Sequence, residues 1–217
     1  VQRSVISVSH NLTYREADRL ITGKGTALTR LYALAQHLRE NRSASGACSI
    51  QIVEPQVTVD NSRNIHIHVR DKELPSQVLV SECMILANYC AASLLRNNRV
   101  PALFRKQRQA GGTPGPCANL PYHELVKLRK KFMPVEVGTA PGAHDILGLQ
   151  HYVTVTSPMR KYLDLITQRQ IAAFLSGSQR LYSSQDLEEI NAAVQPVLFH
   201  ASRAQAERRR YWILKHI

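Results

Sequence analysis

The 217-residue sequence is poor in the features that mark several large classes of protein. It has four cysteines, with no C-x-x-C pair and no histidine at zinc-finger spacing, so we expect neither a disulfide scaffold nor a structural zinc ion. We expect the cysteines to be reduced, as they are inside cells. The opening residues show no secretory signal. The most apolar run, residues 78–95, contains Ser81, Glu82 and Asn88, which favours a buried helix over a membrane span.

Acidic residues are also scarce. Sixteen Asp and Glu residues stand against 28 Lys and Arg residues, which gives a formal net charge of +12. This balance favours a polyanionic partner and leaves RNA, DNA and an anionic membrane surface open. The few acidic groups do not suit a pair of catalytic metal ions, because Asp71 and Glu73 border a turn and the acids at 186–189 suit a helix start. The sequence therefore predicts no metal-binding residue.

Apolar spacing predicts both helices and strands. Residues 5–8 favour a short strand, and Thr13 with Glu16 fits a capping box at the start of the next helix. Apolar residues recur at helical spacing over residues 28–40, whereas residues 49–70 alternate with period two, as in a β-hairpin or meander. A long apolar helix is predicted over residues 78–97.

Helices dominate the C-terminal part. One is predicted to begin at the sequence TSP, residues 156–158, and another near Ser184, which Pro196 is expected to kink or break. A last helix carries RRRYW, residues 208–212. We expect it to be partly solvated, with Glu207 paired to a neighbouring cation, and a contact with a protein or membrane surface is the weaker interpretation. These elements predict an α+β fold, in which a mixed β-sheet is covered by a long buried central helix and several C-terminal helices.

The TSP helix carries the strongest chemical signal. Thr156 or Ser157 suits the N-cap and Pro158 the first helical position, which places Arg160 and Lys161 in the first turn. Cations at that end oppose the helix dipole unless an anion lies among them. Free N–H groups, a hydroxyl and an arginine at a helix N-terminus together form a phosphate site. The sequence therefore predicts that this helix start binds a phosphate.

Two pairs of polar residues raise a choice between structural and functional roles. Arg160 and Asp164 lie one turn apart, and we expect the carboxylate to aim the guanidinium at the phosphate, with a solvated ion pair as the plain alternative. Glu82 and Asn88 lie in the central helix, where burial without partners costs several kcal/mol. They are either hydrogen-bonded within the fold or part of an active-site channel, and spacing alone leaves both open.

TSPMRKYLDLITQRQI and LVSECMILANYC resemble two signature segments of one family, the ribonuclease II (RNB) exoribonucleases. The family patterns are T-S-P-I-R-R-Y-x-D, and L-V-E-E-x-M followed by Tyr/Phe-Arg-x-His. LTYREADRLI, LRENRSASGA and HDILGLQHYVTVTSP fit the same order along the chain. The resemblance spans nearly all 217 residues, and such ordered agreement is more specific than any one motif.

The resemblance implies processive 3′-to-5′ hydrolysis of single-stranded RNA with Mg²⁺, deep in a narrow basic channel. By position, Arg160 matches the catalytic arginine that contacts the phosphate being cleaved. Tyr162 and Asp164 fall on motif positions that support the same helix. The residues expected to bind RNA or phosphate are Thr156, Ser157, Lys161, Arg105, Glu82 and Asn88.

The sequence also departs from the family pattern. Ser81 occupies the first acidic position of the Glu-Glu pair, and Gln107 and Gln168 replace two histidines. In the family, the metal-binding aspartates lie upstream of the part that this chain resembles, and small RNA-binding β-barrels flank the catalytic domain. Residues 1–217 are therefore expected to form a partial RNB catalytic domain, its later two-thirds, without that acidic segment and those barrels. The Mg²⁺ ligands are expected from the missing segment or from a second chain.

Two functions of different class follow. The first is part of a metal-dependent exoribonuclease, either a fragment or one subunit of a split enzyme, in the cytoplasm or an organelle. The second is a catalytically inactive RNA-binding or scaffold module, which Ser81 and the two glutamines favour. Single-stranded RNA is the expected partner in both cases, and apolar surface exposed by a missing segment predicts an oligomer or a partner chain.

Overall fold

The structure, a computed structural model, describes residues 5–23, 25–48, 55–69, 74–109, 121–178 and 181–216. These residues form helices, short strands and one 3-10 turn. In order they are α1 (Tyr14–Thr22), α2 (Ala27–Ala44), β1 (Pro55–Val59), β2 (Ile65–Val69), α3 (Pro75–Asn97), β3 (Phe104–Lys106), α4 (Tyr122–Lys131), β4 (Glu136–Gly138), the 3-10 turn (Asp145–Leu147), α5 (Tyr162–Leu175) and α6 (Ser184–His216).

Helices α1 and α2 both begin at threonine N-caps and both pack against α3. The Thr13 hydroxyl accepts a hydrogen bond from the Glu16 N–H, and the Glu16 carboxylate accepts one from the Thr13 N–H at 2.7 Å, so the predicted capping box is confirmed. The strand predicted over residues 5–8 is wrong. These residues are irregular and exposed, because neither sheet among the described residues offers them a partner strand.

The strands pair in two separate antiparallel sheets. β1 pairs with β2, with Val57 opposite Ile67, as the predicted hairpin requires. β3 pairs with β4. The α+β class is confirmed, although the described residues form two small sheets in place of one mixed sheet. Residues 49–54, at the start of the predicted hairpin, and the turn acids Asp71 and Glu73 lie outside the described residues.

Helix α3 supports the main core through its C-terminal half. The buried members of this core are Ala92, Leu95, Val100, Ala102, Phe104, Val153 and Ile171. The N-terminal half is buried on one side only, since Glu82 is 3% exposed whereas Val80 is 39% exposed. By length and composition α3 is apolar enough to cross a bilayer, and 28% of its most apolar window is buried in the protein.

Helix α6 runs for 33 residues through Pro196 without interruption. The predicted break at this proline is therefore wrong. Proline removes the hydrogen bond to the carbonyl four residues earlier, but Ala192 and Pro196 are both exposed, so water can bind that carbonyl. Toward its end the helix is solvated, and the Arg203 Nε donates to the Glu207 carboxylate at 2.8 Å, which confirms the predicted pairing of Glu207.

The cysteines differ from the expectation in one respect. Cys48 is disulfide-bonded, so the prediction of reduced cysteines is wrong for this residue. Cys83 and Cys90 are free and exposed on α3. Which cysteines pair cannot be read from their spacing along a chain.

Candidate nucleic-acid interface

The segment of residues 151–157 leads from the core to helix α5, and three elements hold it. The Tyr152 carbonyl accepts a hydrogen bond from the Arg105 N–H of β3 at 2.8 Å. The Val155 N–H donates to Asn88 Oδ1 of α3 at 2.8 Å, and the Val155 carbonyl accepts from Gln168 Nε2 of α5 at 2.7 Å. The path of this segment is therefore set by side chains and main chain from β3, α3 and α5.

Helix α5 begins at Tyr162, so the predicted helix start at the TSP sequence is wrong. The Ser157 carbonyl accepts from the N–H groups of Arg160 and Lys161 at 3.2 and 2.9 Å, which closes a turn ahead of the helix. Lys161 has an extended backbone, with φ −126° and ψ 110°, and this interrupts the helical path. The Ser157 N–H donates to the Asp164 carboxylate at 3.0 Å, so the serine contributes its main chain to the turn and no side-chain cap to the helix.

Arg160 does not pair with Asp164, contrary to the sequence prediction. The turn places Arg160 outside the helix, so the one-turn spacing that would bring the two side chains together does not apply. Asp164 is 1% exposed and bound to the Ser157 N–H. Arg160 is exposed, and its guanidinium has no partner among the residues that the structure describes. Arg160 is thus an exposed cation without a partner among the described residues, three residues after the hydrogen-bonded segment of residues 151–157.

The other predicted phosphate ligands lie along the same stretch. Lys161 is exposed, and Thr156 and Ser157 are half-buried with hydroxyls that make no hydrogen bond within the described part of the chain. Arg105 is half-buried on β3, where its charge acts on Tyr152 at the start of the segment. Their contact with RNA stays a prediction. Tyr162, predicted as a supporting residue, is the first residue of α5 and is 52% exposed.

Glu82 has a partner within the fold, as its burial requires. Arg42 of α2 holds the carboxylate with two nitrogens: Nε lies 3.0 Å from Oε2, and Nη2 donates to Oε1. The third guanidinium nitrogen, Nη1, donates to the Leu147 carbonyl at 3.1 Å. This fork ties α2, α3 and the 3-10 turn together. Ser81, one residue earlier, is exposed.

Asn88 is also fully engaged. It is 2% exposed, and besides accepting from Val155 it donates from Nδ2 to the Tyr152 hydroxyl at 2.8 Å. Burial raises the pKa of Tyr152, an effect that the hydrogen bond from Asn88 opposes. The ring of His144 meets Tyr152 edge-on at 5.4 Å. Burial, and then the charge of Arg105, lower the pKa of His144 to about 4, so this imidazole is neutral near pH 7.

Sequence reasoning missed Arg42, Tyr152 and the role of Gln168. The buried Glu82 gave a signal that a cation must lie nearby, but its identity depends on packing between helices 40 residues apart. Gln168 was visible only as a departure from a motif. Its amide in fact donates to the main chain of Val155.

The described residues do not fit a magnesium site. They contain no group of three or more His, Cys, Asp or Glu side chains that could hold a metal ion. Two carboxylates are buried among them, and both are occupied, Glu82 by Arg42 and Asp164 by the Ser157 N–H. A Mg²⁺ site needs carboxylate oxygens that are free to coordinate.

Comparison with known proteins places this fold and segment in a family. The RNB domain model matches residues 1–114 and 121–177, and the chain therefore belongs to the RNB domain family. An uncharacterized ribonuclease of Synechocystis is 30% identical over 229 residues, which cover 99% of this chain and 33% of that protein. The chain thus spans about a third of that relative's length.

Solved structures share the fold. The Dss1 exoribonuclease of Candida glabrata, as an active-site mutant, superposes with a TM-score of 0.83 at 22% identity, over 95% of this chain and 29% of that one. Yeast Ssd1, a pseudonuclease, superposes with a TM-score of 0.60 at 15% identity, over 81% of this chain and 26% of that one. The fold is therefore common to a nuclease and to a pseudonuclease, and activity has to be argued from the site.

Proposed function

We propose that this chain is part of a 3′-to-5′ exoribonuclease that hydrolyses single-stranded RNA processively, and that Arg160 contacts the phosphate of the bond to be cleaved. The proposal rests on the guanidinium of Arg160, which is exposed and has no partner among the described residues. Arg160 lies just after the hydrogen-bonded segment of residues 151–157, in a chain of the RNB domain family. The formal net charge of +12 supports a polyanionic ligand.

The geometry suits contact with a phosphate. A guanidinium can donate to two phosphate oxygens at once, and its charge persists at any pH that an enzyme meets. A donor that contacts the phosphate stabilises the negative charge that develops during hydrolysis, by about 3 kcal/mol in comparable sites. Thr156, Ser157 and Lys161 have side chains without partners among the described residues, and we propose that they bind the same phosphate or its neighbour.

The Mg²⁺ of an active enzyme is proposed to bind carboxylates from another segment or from a second chain. This follows from the occupied state of Glu82 and Asp164. Glu82 and Asn88 were predicted to contact RNA, and their hydrogen bonds within the fold favour structural roles, with Glu82 joining α2 to α3 and Asn88 holding the segment.

Hydrolysis of end-labelled RNA tests the proposal. The chain is incubated with Mg²⁺ and an RNA with a 3′ single-stranded overhang, alone and with a candidate acidic partner chain. We expect cleavage only with the partner: a 3′ label leaves at once as a mononucleotide, whereas a 5′ label shortens progressively. Arg160→Ala should abolish cleavage, and Arg169→Ala, which removes a charge from the nearby helix α5, should not. Strong cleavage by the chain alone contradicts the proposed origin of the metal ligands, and full cleavage by Arg160→Ala contradicts the role of Arg160.

An inactive RNA-binding module is the second candidate. It is favoured by Ser81, which is exposed where the family motif has an acid, and by the glutamines at two histidine positions. Gln107 and Gln168 donate to the carbonyls of Met133 and Val155 at 3.1 and 2.7 Å. In this case no combination of partner and metal yields cleavage, while RNA binding persists and weakens steeply as salt rises.

Exposed apolar residues support an additional partner. Val5, Ile6 and Val8 are 103%, 77% and 66% exposed ahead of α1. We propose that an oligomer or a partner chain covers this surface, in the cytoplasm or an organelle. Light scattering at rising concentration tests the first option: a mass that stays at 24.4 kDa contradicts self-association and leaves the partner chain.

A further inference from the structure

Both main-chain polar groups of Val155 are bound by side chains. Asn88 Oδ1 accepts from its N–H at 2.8 Å, and Gln168 Nε2 donates to its carbonyl at 2.7 Å. Asn88 lies 67 residues before Val155 and Gln168 lies 13 residues after it, on α3 and α5. Since Val155 belongs to no strand or helix, these two amides replace the bonds that regular structure would provide.

The Asn88 amide is itself fixed. Its Nδ2 donates to the hydroxyl of the buried Tyr152 at 2.8 Å, so the acceptor that faces Val155 has one orientation. The Tyr152 carbonyl in turn accepts from the Arg105 N–H at 2.8 Å. The buried Asn88 amide is hydrogen-bonded through both Oδ1 and Nδ2, and it resists displacement because moving it would leave a buried donor unpaired.

The main chain between Val155 and Arg160 is short, and Ser157 anchors it with two further hydrogen bonds. Two residues on, the Ser157 N–H donates to Asp164 at 3.0 Å. The Ser157 carbonyl then accepts from the Arg160 N–H at 3.2 Å. The main chain that carries Arg160 is therefore anchored at Val155 and Ser157, while its guanidinium stays free.

We propose that Gln168 and Asn88 are positioning residues for Arg160, which act through the main chain of Val155 and touch no substrate. The inference rests on the proposed contact between Arg160 and RNA phosphate. Gln168 occupies the position where the RNB signature has histidine. Glutamine and histidine side chains can both donate a hydrogen bond from an N–H group. The glutamine therefore preserves the donor that the Val155 carbonyl needs, and the substitution does not by itself indicate an inactive protein.

A double-mutant cycle on RNA affinity tests the proposal. Binding of a fluorescent single-stranded RNA is measured by anisotropy in EDTA for the wild type, Gln168→Met, Arg160→Ala and the double variant. We expect each single change to weaken binding about tenfold and the double variant to be no weaker than Arg160→Ala, because a displaced arginine and an absent one are equivalent. Gln168→His should restore affinity to within about twofold of the wild type.

Gln170 provides the matched control. It lies on α5, is 1% exposed, and donates to the Pro101 and Tyr182 carbonyls at 3.0 and 2.8 Å, so its hydrogen bonds within the described residues go to other parts of the chain than the segment. Gln170→Met should lower the melting temperature and change RNA affinity by less than about twofold. If Gln168→Met does not fold, Gln168→Glu replaces it, since it keeps the size and lacks the N–H donor.

The outcomes separate the inference from the proposed function. Affinity losses that multiply in the double variant, a Gln168→Met affinity equal to that of Gln170→Met, or failure of Gln168→His to restore binding overturns the positioning role alone. An Arg160→Ala affinity equal to the wild type overturns both the positioning role and the proposed phosphate contact.

Discussion

Replacing Arg42 by methionine removes the guanidinium that binds the Glu82 carboxylate and the Leu147 carbonyl, and keeps most of the apolar part of the side chain. Glu82 is 3% exposed, and Arg42 is its only cationic partner among the described residues. Breaking a buried ion pair from one side leaves an unpaired charge, which costs about 3–5 kcal/mol. The Leu147 carbonyl also loses its donor at 3.1 Å. Because domains of this size are stable by about 5–15 kcal/mol, the variant should lose a large fraction of its stability.

Urea unfolding followed by circular dichroism measures this loss. The double variant Arg42→Met with Glu82→Leu should recover most of it, because no charge is then buried. Arg203→Met is the matched control: its pair with Glu207 has side chains 67% and 65% exposed, so its removal should cost about 0–1 kcal/mol. An Arg42→Met variant that unfolds like Arg203→Met, or a double variant as unstable as the single one, refutes the reasoning.

Two further predictions concern His144 and Gly148. The pKa of His144 is lowered to about 4 in the fold against about 6.5 in the unfolded chain, so stability present above pH 6.5 should fall by about 3 kcal/mol as the pH drops toward 4. His144→Phe should remove most of that pH dependence in urea unfolding, and an unchanged dependence contradicts this. Gly148 has φ +64°, and a Cβ there would lie 2.8 Å from the Ala47 nitrogen, so Gly148→Ala should cost about 3 kcal/mol by thermal unfolding. Gly25→Ala, at φ +81° with nothing within 4 Å, should cost about 1 kcal/mol, and equal losses contradict the steric account.

Local signals in the sequence predicted the elements that depend on local chemistry. The Thr13–Glu16 capping box spans three residues, and the hairpin follows from alternation within each strand. Helix α3 ends at Asn97, as predicted, because Pro101 follows closely. The residues that resemble the RNB signatures were enough to place the chain in its family.

The predictions that failed depend on contacts between distant parts of the chain. The TSP sequence has good helix-start residues, but the buried Asp164 takes the Ser157 N–H and a turn forms instead. That turn moves Arg160 off the helix and cancels its expected pairing with Asp164. The strand at residues 5–8 has the right composition and no neighbour to pair with in the described part of the chain.

In the candidate site, too, local features could be predicted from the sequence, whereas contacts between distant residues could not. Arg160 could be chosen from a motif, and the need of Glu82 and Asn88 for partners followed from burial. The identity of those partners, Arg42 and Tyr152, did not, because it depends on how the helices pack.

The salt dependence of RNA affinity tests the contact between Arg160 and the RNA backbone most directly. Each phosphate contact to a single strand contributes about 0.7 to the slope of log affinity against log salt. We expect Arg160→Ala to lower that slope by about 0.7, and Arg169→Ala, which changes the net charge equally, to leave it nearly unchanged. Equal slopes for Arg160→Ala and the wild type would contradict the account.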